Sequence, residues 1–243
     1  MNKINVVAGS LLLALCSSVQ AAEWGYQGDI GPEHWGEFAR ECAAGKNQSP
    51  IDINENDTVE AELKSLDIHY DGTVTGLTNN GHTLQAVVSG SNVFTLDGIE
   101  FNLAQFHFHT PSENHIKGHG YPLEAHFVNA DKAGHLAVLA VMFDLDTHKN
   151  REMSKLIKSM PETNHTVTLD SPFSVKDMLP KTAKYYRFNG SLTTPPCSEG
   201  VRWIVAKSPQ SLTSDQAKQL ELVMGANNRP LQNHNARVVL SND

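Results

Sequence analysis

The sequence predicts a mainly β domain of the α+β class, with helices at the periphery of its sheet. From residue 51 onward, most apolar segments are short and end at Gly, Pro, Asn or Asp, which is typical of strands joined by turns. Residues 136–143 are apolar at every position, as expected of a central strand buried on both faces. Longer helical patterns are present only at residues 151–160 and 214–224.

The first 21 residues are expected to be a secretory signal peptide. Lys3 lies near the start, an apolar stretch covers residues 6–15, and small residues end at Ala21, where a signal peptidase would cleave. The stretch is too short to span a bilayer. We therefore expect export across the inner membrane to the bacterial periplasm, and residues 22–243 should form one domain.

The composition of residues 22–243 argues against several classes of binding partner. About 220 residues suffice for a sizeable core, and no Pro/Gly/Ser-rich linker divides them. Loss of Lys3 with the signal changes the formal charge from −8 to −9. This balance argues against binding to nucleic acid or to an anionic membrane surface. We also expect no membrane insertion, because no other segment is apolar enough.

The elements follow in chain order. Residues 23–49 show little periodicity, so we expect irregular structure with one short helix at 35–42. Thr213 and Gln216 form a capping-box pattern at the start of the helix at 214–224. Strands are expected at 84–88, 93–96, 101–110, 123–129, 136–143, 201–206 and 237–240.

The strand at 101–110 contains the sequence QFHFH. Successive side chains of a strand point to opposite faces, so Gln105, His107 and His109 share one face and two phenylalanines occupy the other. The phenylalanines need a buried face, which leaves the histidines facing water or a cavity. Two readings stay open: outward polar residues of a half-buried strand, or two ligands of a metal site that needs a third.

The sequence LEAHFV at 123–128 offers that third ligand. Glu124 and His126 share one face of the strand, and a carboxylate beside a ligating histidine can accept its second ring N–H. Three neutral histidines leave the fourth position of tetrahedral Zn²⁺ open, which is typical of catalytic zinc sites. The alternative is that Glu124 is only a polar strand residue.

Several motifs together resemble the α-class carbonic anhydrases. They are GKNQSPIDI at 45–53, NNGH at 79–82, QFHFHTPSEN at 105–114, LEAHFV at 123–128, GSLTTPPCSEGVRW at 190–203 and NNRP at 227–230. The resemblance implies a central, twisted, mostly antiparallel sheet of about ten strands, at the upper end of the usual sheet size. It also implies a lyase with one Zn²⁺ per chain that converts CO2 reversibly to bicarbonate and a proton.

The resemblance implies roles for single residues. His107, His109 and His126 match the zinc ligands. Gln105 and Glu124 match the partners of the first and third ligand, and a backbone carbonyl near Asn227 is expected to hold the second.

Catalytic and pocket residues follow in the same way. Thr193 and Glu113 match the pair that orients zinc-bound hydroxide towards CO2, and His82 matches the proton shuttle. The implied substrate pocket comprises Val128, Val138, Leu192, Thr194 and Trp203, and the implied proton path comprises Tyr26, Asn80 and Gln85.

Cys42 and Cys197 remain after loss of the signal peptide. In an oxidising compartment we expect them to form a disulfide, with two buried free thiols as the alternative. The resemblance implies that this bond pins the SLTTPP loop.

Two other classes of function stay open. A catalytically silent binding protein with the same fold would typically lack a zinc ligand, whereas all three are present. A periplasmic zinc-storage protein would be expected to carry surface clusters of histidine. Whether the chain forms a homodimer is also open.

Overall fold

The computed structural model describes residues 23–181 and 184–242, so the expected signal peptide at 1–21 lies outside the described residues. The described helices are α1 Trp35–Phe38, α2 Arg40–Ala44, α3 Arg151–Lys158 and α4 Ser214–Met224, with 3-10 turns at Gly28–Ile30, Glu55–Asp57 and Val175–Met178. The described strands are β1 Asp52–Ile53, β2 Val59–Glu60, β3 Asp67–Tyr70, β4 Thr73–Asn79, β5 Leu84–Ser89, β6 Asn92–Leu96, β7 Ile99–His109, β8 His115–Ile116, β9 Leu123–Ala130, β10 Leu136–Leu145, β11 His165–Ser174, β12 Tyr185–Ser191, β13 Glu199–Ala206, β14 Gln210–Leu212 and β15 Leu240–Ser241. No described helix has both the length and the apolar character needed to cross a membrane.

Thirteen of the described strands form one mixed sheet, in which most pairings are antiparallel. Its main path runs in the order β11-β4-β5-β7-β9-β10-β13-β12-β15-β2. The predicted buried strand is β10, which lies in the middle of this path, antiparallel to β9 and parallel to β13. Its residues 137–143 are all buried, which confirms the prediction.

Two apolar clusters pack on the two faces of the sheet. Phe106, Phe108 and Phe127 belong to one cluster and are inaccessible to solvent. Val138 and Trp203 belong to the other, on the face that also carries the histidines of β7. The alternation predicted for QFHFH is therefore present, with the core behind the strand and the candidate site in front of it.

A β-bulge interrupts β7 just before the histidines. Leu103 pairs with Asn129 and Gln105 pairs with Val128, so β7 has one residue, Ala104, more than β9 between these two pairs. The bulge changes which residues face the core: Phe101 and Leu103 do so before it, at odd positions, whereas even positions do so after it. Alternation within QFHFH thus holds only downstream of the bulge.

Other boundaries depart from prediction. The helix expected at 35–42 is divided into α1 and α2 at Ala39, whose backbone is not helical. The helix expected at 151–160 ends at Lys158, while α4 and its capping box agree with prediction. The strand expected at 237–240 is largely wrong, because Arg237 donates its backbone N–H to the His234 carbonyl in a turn. Strands β3, β4, β11 and β12 were not predicted from their patterns, and neither were the short strands β1, β2, β8 and β14.

Candidate metal centre

The pairing of β7 with β9 brings three imidazoles together. His107 lies directly opposite His126, and His109 lies opposite Glu124. One ring nitrogen from each histidine lies within 4.8 Å of those of the other two. The Nε2 atoms of His107 and His109 are 3.0 Å apart. The described residues thus contain a compact set of three nitrogen donors.

The second nitrogen of each ring is engaged away from the cluster. In each case the acceptor is an oxygen atom, so the ring donates its proton there and turns a lone pair towards the other two histidines. The three pairs are His107 Nδ1 to Gln105 Oε1 at 2.8 Å, His109 Nδ1 to the Asn227 carbonyl at 2.7 Å, and His126 Nε2 to Glu124 Oε1 at 2.8 Å. The cluster therefore presents Nε2, Nε2 and Nδ1.

Burial favours the neutral form of all three rings. Desolvation is the main cause that lowers the pKa of His107 and His126 well below 6.5, and a neighbouring positive charge on His109 would lower both further. Desolvation also lowers the pKa of His109, opposed by its hydrogen bond to Asn227. Neutral imidazole is the form that binds a metal ion, so the donor set fits Zn²⁺ with one coordination position left open.

Glu124 is a buried carboxylate with a full set of donors. Its Oε1 accepts from His126 and from Asn114 Nδ2 at 2.8 Å each. Its Oε2 accepts the backbone N–H groups of Glu113 at 2.7 Å and Asn114 at 2.8 Å. Burial raises its pKa, while the bonds from Asn114 act in the opposite direction. These four bonds fix the carboxylate and, through it, the orientation of His126.

Glu113 is the second buried carboxylate, and it faces His109 and His126. Its Oε1 accepts the Arg229 backbone N–H at 2.8 Å. Its Oε2 makes no hydrogen bond of normal geometry and lies 3.5 Å from His109 Nε2 and 3.8 Å from His126 Nδ1. Burial raises the pKa of Glu113 well above 4.5, and an interaction with the Thr193 side chain acts to lower it. The structure therefore places the predicted pair side by side.

A cavity of about 130 Å³ opens onto His107 and His109 of the histidine cluster. The predicted proton-path residues Tyr26, Asn80 and Gln85 all line it, as does the predicted shuttle His82. The complete lining is Trp24, Tyr26, Asn80, His82, Thr83, Gln85, Gln105, His107, His109 and Thr194. The His82 ring stacks on Trp24 with centroids 3.9 Å apart and planes 8° apart. Burial lowers the pKa of His82.

Asn80 and Tyr26 have additional local roles. The Asn80 side-chain oxygen accepts the backbone N–H groups of His82 at 3.0 Å and Thr83 at 2.9 Å, so it shapes the turn that carries His82. Burial, and then the charge of Glu113, raise the pKa of Tyr26, so its hydroxyl stays protonated at neutral pH.

An apolar wall adjoins the histidines. Val138 and Trp203 are buried, and Val128 and Leu192 pack against the same cluster. The Trp203 ring stands nearly perpendicular to the His126 ring, with centroids 4.9 Å apart. The predicted pocket residues are thus brought together, except that Thr194 lies on the polar lining of the cavity.

Cys42 and Cys197 form a disulfide, so the alternative of two free thiols is wrong. The bond links the middle of α2 to the segment that follows Thr193. Four further residues of the site had no role in the sequence-based prediction: Trp24, Thr83, Asn114 and Arg229. The last two lie inside the motifs SEN and NNRP, but no local pattern indicates their partners.

Comparisons with known proteins agree with this geometry. The family described as eukaryotic-type carbonic anhydrase matches residues 30–243. A carbonic anhydrase of Neisseria gonorrhoeae is 43% identical over 242 residues, with 95% of each chain covered. The structure of the Photobacterium profundum α-carbonic anhydrase has a TM-score of 0.87 and 55% identity, covering 90% of this chain and 100% of that one. The α-carbonic anhydrase of Thermovibrio ammonificans, solved with sulfanilamide, has a TM-score of 0.88 and 46% identity, covering 91% and 100%. In sequence and in fold, this chain belongs to the eukaryotic-type, or α-class, carbonic anhydrase family.

Proposed function

We propose that this chain is a zinc enzyme that hydrates CO2 reversibly to bicarbonate and a proton. The observation that carries the proposal is the convergence of three imidazole nitrogens, each with its second nitrogen held by an oxygen acceptor, in a cluster whose members His107 and His109 line a cavity. Membership of the family supports the same reaction.

His107, His109 and His126 would hold the metal ion. When bound, Zn²⁺ acts as a Lewis acid that lowers the pKa of a water molecule to about 7, so that a strong nucleophile exists at neutral pH. The protein keeps the three rings neutral by burial and fixes their direction through Gln105, Glu124 and the Asn227 carbonyl.

Thr193 and Glu113 would orient the nucleophile. Glu113 Oε2 is a buried acceptor without a partner, and the Thr193 hydroxyl is the group that acts on this carboxylate. A hydroxyl that donates to Glu113 keeps its own lone pairs for an O–H group in the cavity. This arrangement favours a nucleophile whose O–H group can donate a hydrogen bond to Thr193. That bond fixes the nucleophile so that a lone pair of its oxygen points at the carbon of CO2.

The apolar wall would receive CO2. The side chains of Val138 and Leu192 have no group that could hydrogen-bond to water. The ring N–H of Trp203 is already bonded to the Ser191 carbonyl at 3.0 Å, so it is not available to water either. CO2 gains little from hydrogen bonds, so a dry surface favours it over water.

His82 would pass the released proton to solvent. It lies on the cavity lining, and its lowered pKa keeps the imidazole neutral and able to accept a proton at neutral pH. Tyr26, Asn80 and Gln85 line the same cavity and offer polar groups to the intervening water.

A CO2 hydration assay with zinc analysis tests the proposal. We expect one zinc ion per chain and rapid hydration for the wild type, and loss of both for His109→Ala. A wild-type protein that binds one zinc ion but shows no rate above buffer would contradict the enzymatic proposal and favour the silent binding protein.

The role of His82 has its own test. His82→Ala should lower turnover in dilute buffer but leave the CO2 step intact, and added imidazole should restore part of the turnover. His148→Ala is the matched control, because that histidine is largely exposed and lies outside the cavity lining. Equal turnover for His82→Ala and the control would assign the shuttle to another group.

We also propose that residues 1–21 direct export and that 22–243 form a single periplasmic domain. The disulfide and the bacterial relatives support an exported protein. Mass spectrometry of the periplasmic fraction should find a chain that starts at Ala22. An intact N-terminus in the cytoplasmic fraction would contradict this.

A further inference from the structure

Arg229 is a buried arginine with no role in the steps above. Only 2% of the residue is exposed. Its Nη1 donates to Gln48 Oε1 at 2.9 Å and to the Ser49 carbonyl at 2.8 Å, and its Nη2 donates to the Cys42 carbonyl at 2.9 Å. The guanidinium carbon also lies 5.7 Å from the centre of the Trp35 ring. All these guanidinium contacts are made to the N-terminal part of the domain.

The backbone around Arg229 meets the metal centre on its other side. The Arg229 N–H donates to Glu113 Oε1 at 2.8 Å. Two residues earlier, the Asn227 carbonyl accepts from His109 Nδ1 at 2.7 Å, and Asn227 Nδ2 donates to the His82 carbonyl at 3.0 Å. Segment 227–229 therefore holds a proposed ligand, the orienting carboxylate and the turn of the proposed shuttle.

The N-terminal part that receives Arg229 is itself anchored. Cys42 is bonded covalently to Cys197, and Gln48 Nε2 donates to the Cys197 carbonyl at 3.0 Å. Gln48 thus joins Arg229 to the disulfide through its two amide atoms. Segment 227–229 lies in no helix or strand, so side-chain contacts have to fix its place.

We propose that the Arg229 side chain is a positioning residue for the metal centre. By anchoring segment 227–229 to the disulfide-bonded segment 42–49, it keeps the Asn227 carbonyl on His109 and its own N–H on Glu113. Removing the guanidinium takes the donor from two buried acceptors, Gln48 Oε1 and the Ser49 carbonyl, and from the partly buried Cys42 carbonyl, and the segment shifts to satisfy them. The inference rests on the proposed function only for the identity of the metal.

The first measurement is zinc affinity by chelator competition. Arg229→Met keeps the apolar length of the side chain but removes every donor. We expect its zinc dissociation constant to rise about tenfold, the lower end of the effect seen when groups behind metal ligands are removed. Arg237→Met is the matched control, because Arg237 also donates to backbone carbonyls, those of Asn189, Asn233 and His234, but makes no contact with segment 227–229. Arg229→Lys keeps the charge with less directed donors and should lie between wild type and Arg229→Met.

The second measurement separates positioning from general loosening of the fold. In the zinc-loaded protein, nuclear magnetic resonance reports solvent exchange of each ring proton. Arg229→Met should speed exchange at His109 Nδ1–H, which depends on segment 227–229. It should leave His107 Nδ1–H, which is held by Gln105, as in the wild type.

Four results of these measurements would overturn the positioning role of Arg229. Wild-type zinc affinity and wild-type His109 exchange in Arg229→Met would overturn this inference alone, as would an equal loss of zinc affinity in Arg237→Met. If Arg229→Met does not fold, unchanged zinc affinity in both Arg229→Lys and Gln48→Ala would overturn it. A wild-type chain that binds no zinc would overturn the proposed function and this inference together.

Discussion

Removal of the Cys42–Cys197 disulfide offers a quantitative test of what holds the candidate site in place. The bond closes a loop with a sequence separation of 155 residues. For a loop of that length, the chain-entropy relation gives a loss of about 5 kcal/mol in the free energy of unfolding when the bond is removed. Native disulfides typically contribute about 2–4 kcal/mol, so we expect a loss of about 3–5 kcal/mol for Cys42→Ala/Cys197→Ala.

Urea denaturation of the wild type and the double variant measures this loss. The slope of unfolding free energy against urea should rise in the variant, because its unfolded chain is less constrained and exposes more surface. CO2 hydration should fall as well, because Cys197 anchors the segment that carries Thr193. Reduction of the wild type should reproduce both effects, and the same reductant should leave the double variant unchanged.

One result would refute this reasoning. If the free energy of unfolding falls by less than about 1 kcal/mol and CO2 hydration is unchanged, the disulfide neither restrains the unfolded chain as its loop length requires nor holds the Thr193 segment.

Three further predictions concern single side chains. Glu124→Gln should weaken zinc binding about 10- to 100-fold in a chelator titration, because an amide nitrogen then faces hydrogen-bond donors around His126; unchanged affinity would contradict this. Trp24→Ala should raise the pKa of His82 towards 6.5 in a nuclear magnetic resonance titration, since loss of the stacked ring rehydrates the imidazolium; a fall would refute burial as the cause. Because folding lowers this pKa, the unfolded state binds more protons below pH 6.5, and the His82 contribution to stability should fall as the pH drops through that range. Phe106→Ala should cost about 3–5 kcal/mol of unfolding free energy, measured in urea, because the ring is fully buried; a loss below about 1 kcal/mol would mean that the core refills the space.

The proposed metal ligands were partly accessible to sequence reasoning because two of them are close together in the sequence. His107 and His109 share a face through strand alternation alone, and Glu124 stands two positions before His126 for the same reason. That His107 lies directly opposite His126 depends on strand register, which alternation does not determine. There the resemblance to known enzymes provided what the residue pattern did not.

Contacts between distant segments explain most of what was not predicted. Arg229 reaches carbonyl and amide groups far earlier in the chain, with separations of 181, 180 and 187 residues. No local pattern encodes such partners. Two of the unpredicted strands, β4 and β11, were missed for a different reason. Strand β4 contains Gly76 at a register shift, and β11 lies at the end of the main strand path with mostly exposed side chains. Both features weaken the alternation from which strands are recognised.

The bulge at Ala104 has a consequence for how this sequence can change during evolution. Loss of that one codon would restore uninterrupted alternation along β7. Leu103 and Phe106 would then stand two positions apart, so both would still face the core, and His107 and His109 would still face the cavity. In a regular strand, by contrast, the loss of one residue moves every later side chain to the opposite face. The bulge therefore absorbs one residue without disturbing the candidate site, and descendants can differ in length by this one residue while they keep the three histidines together.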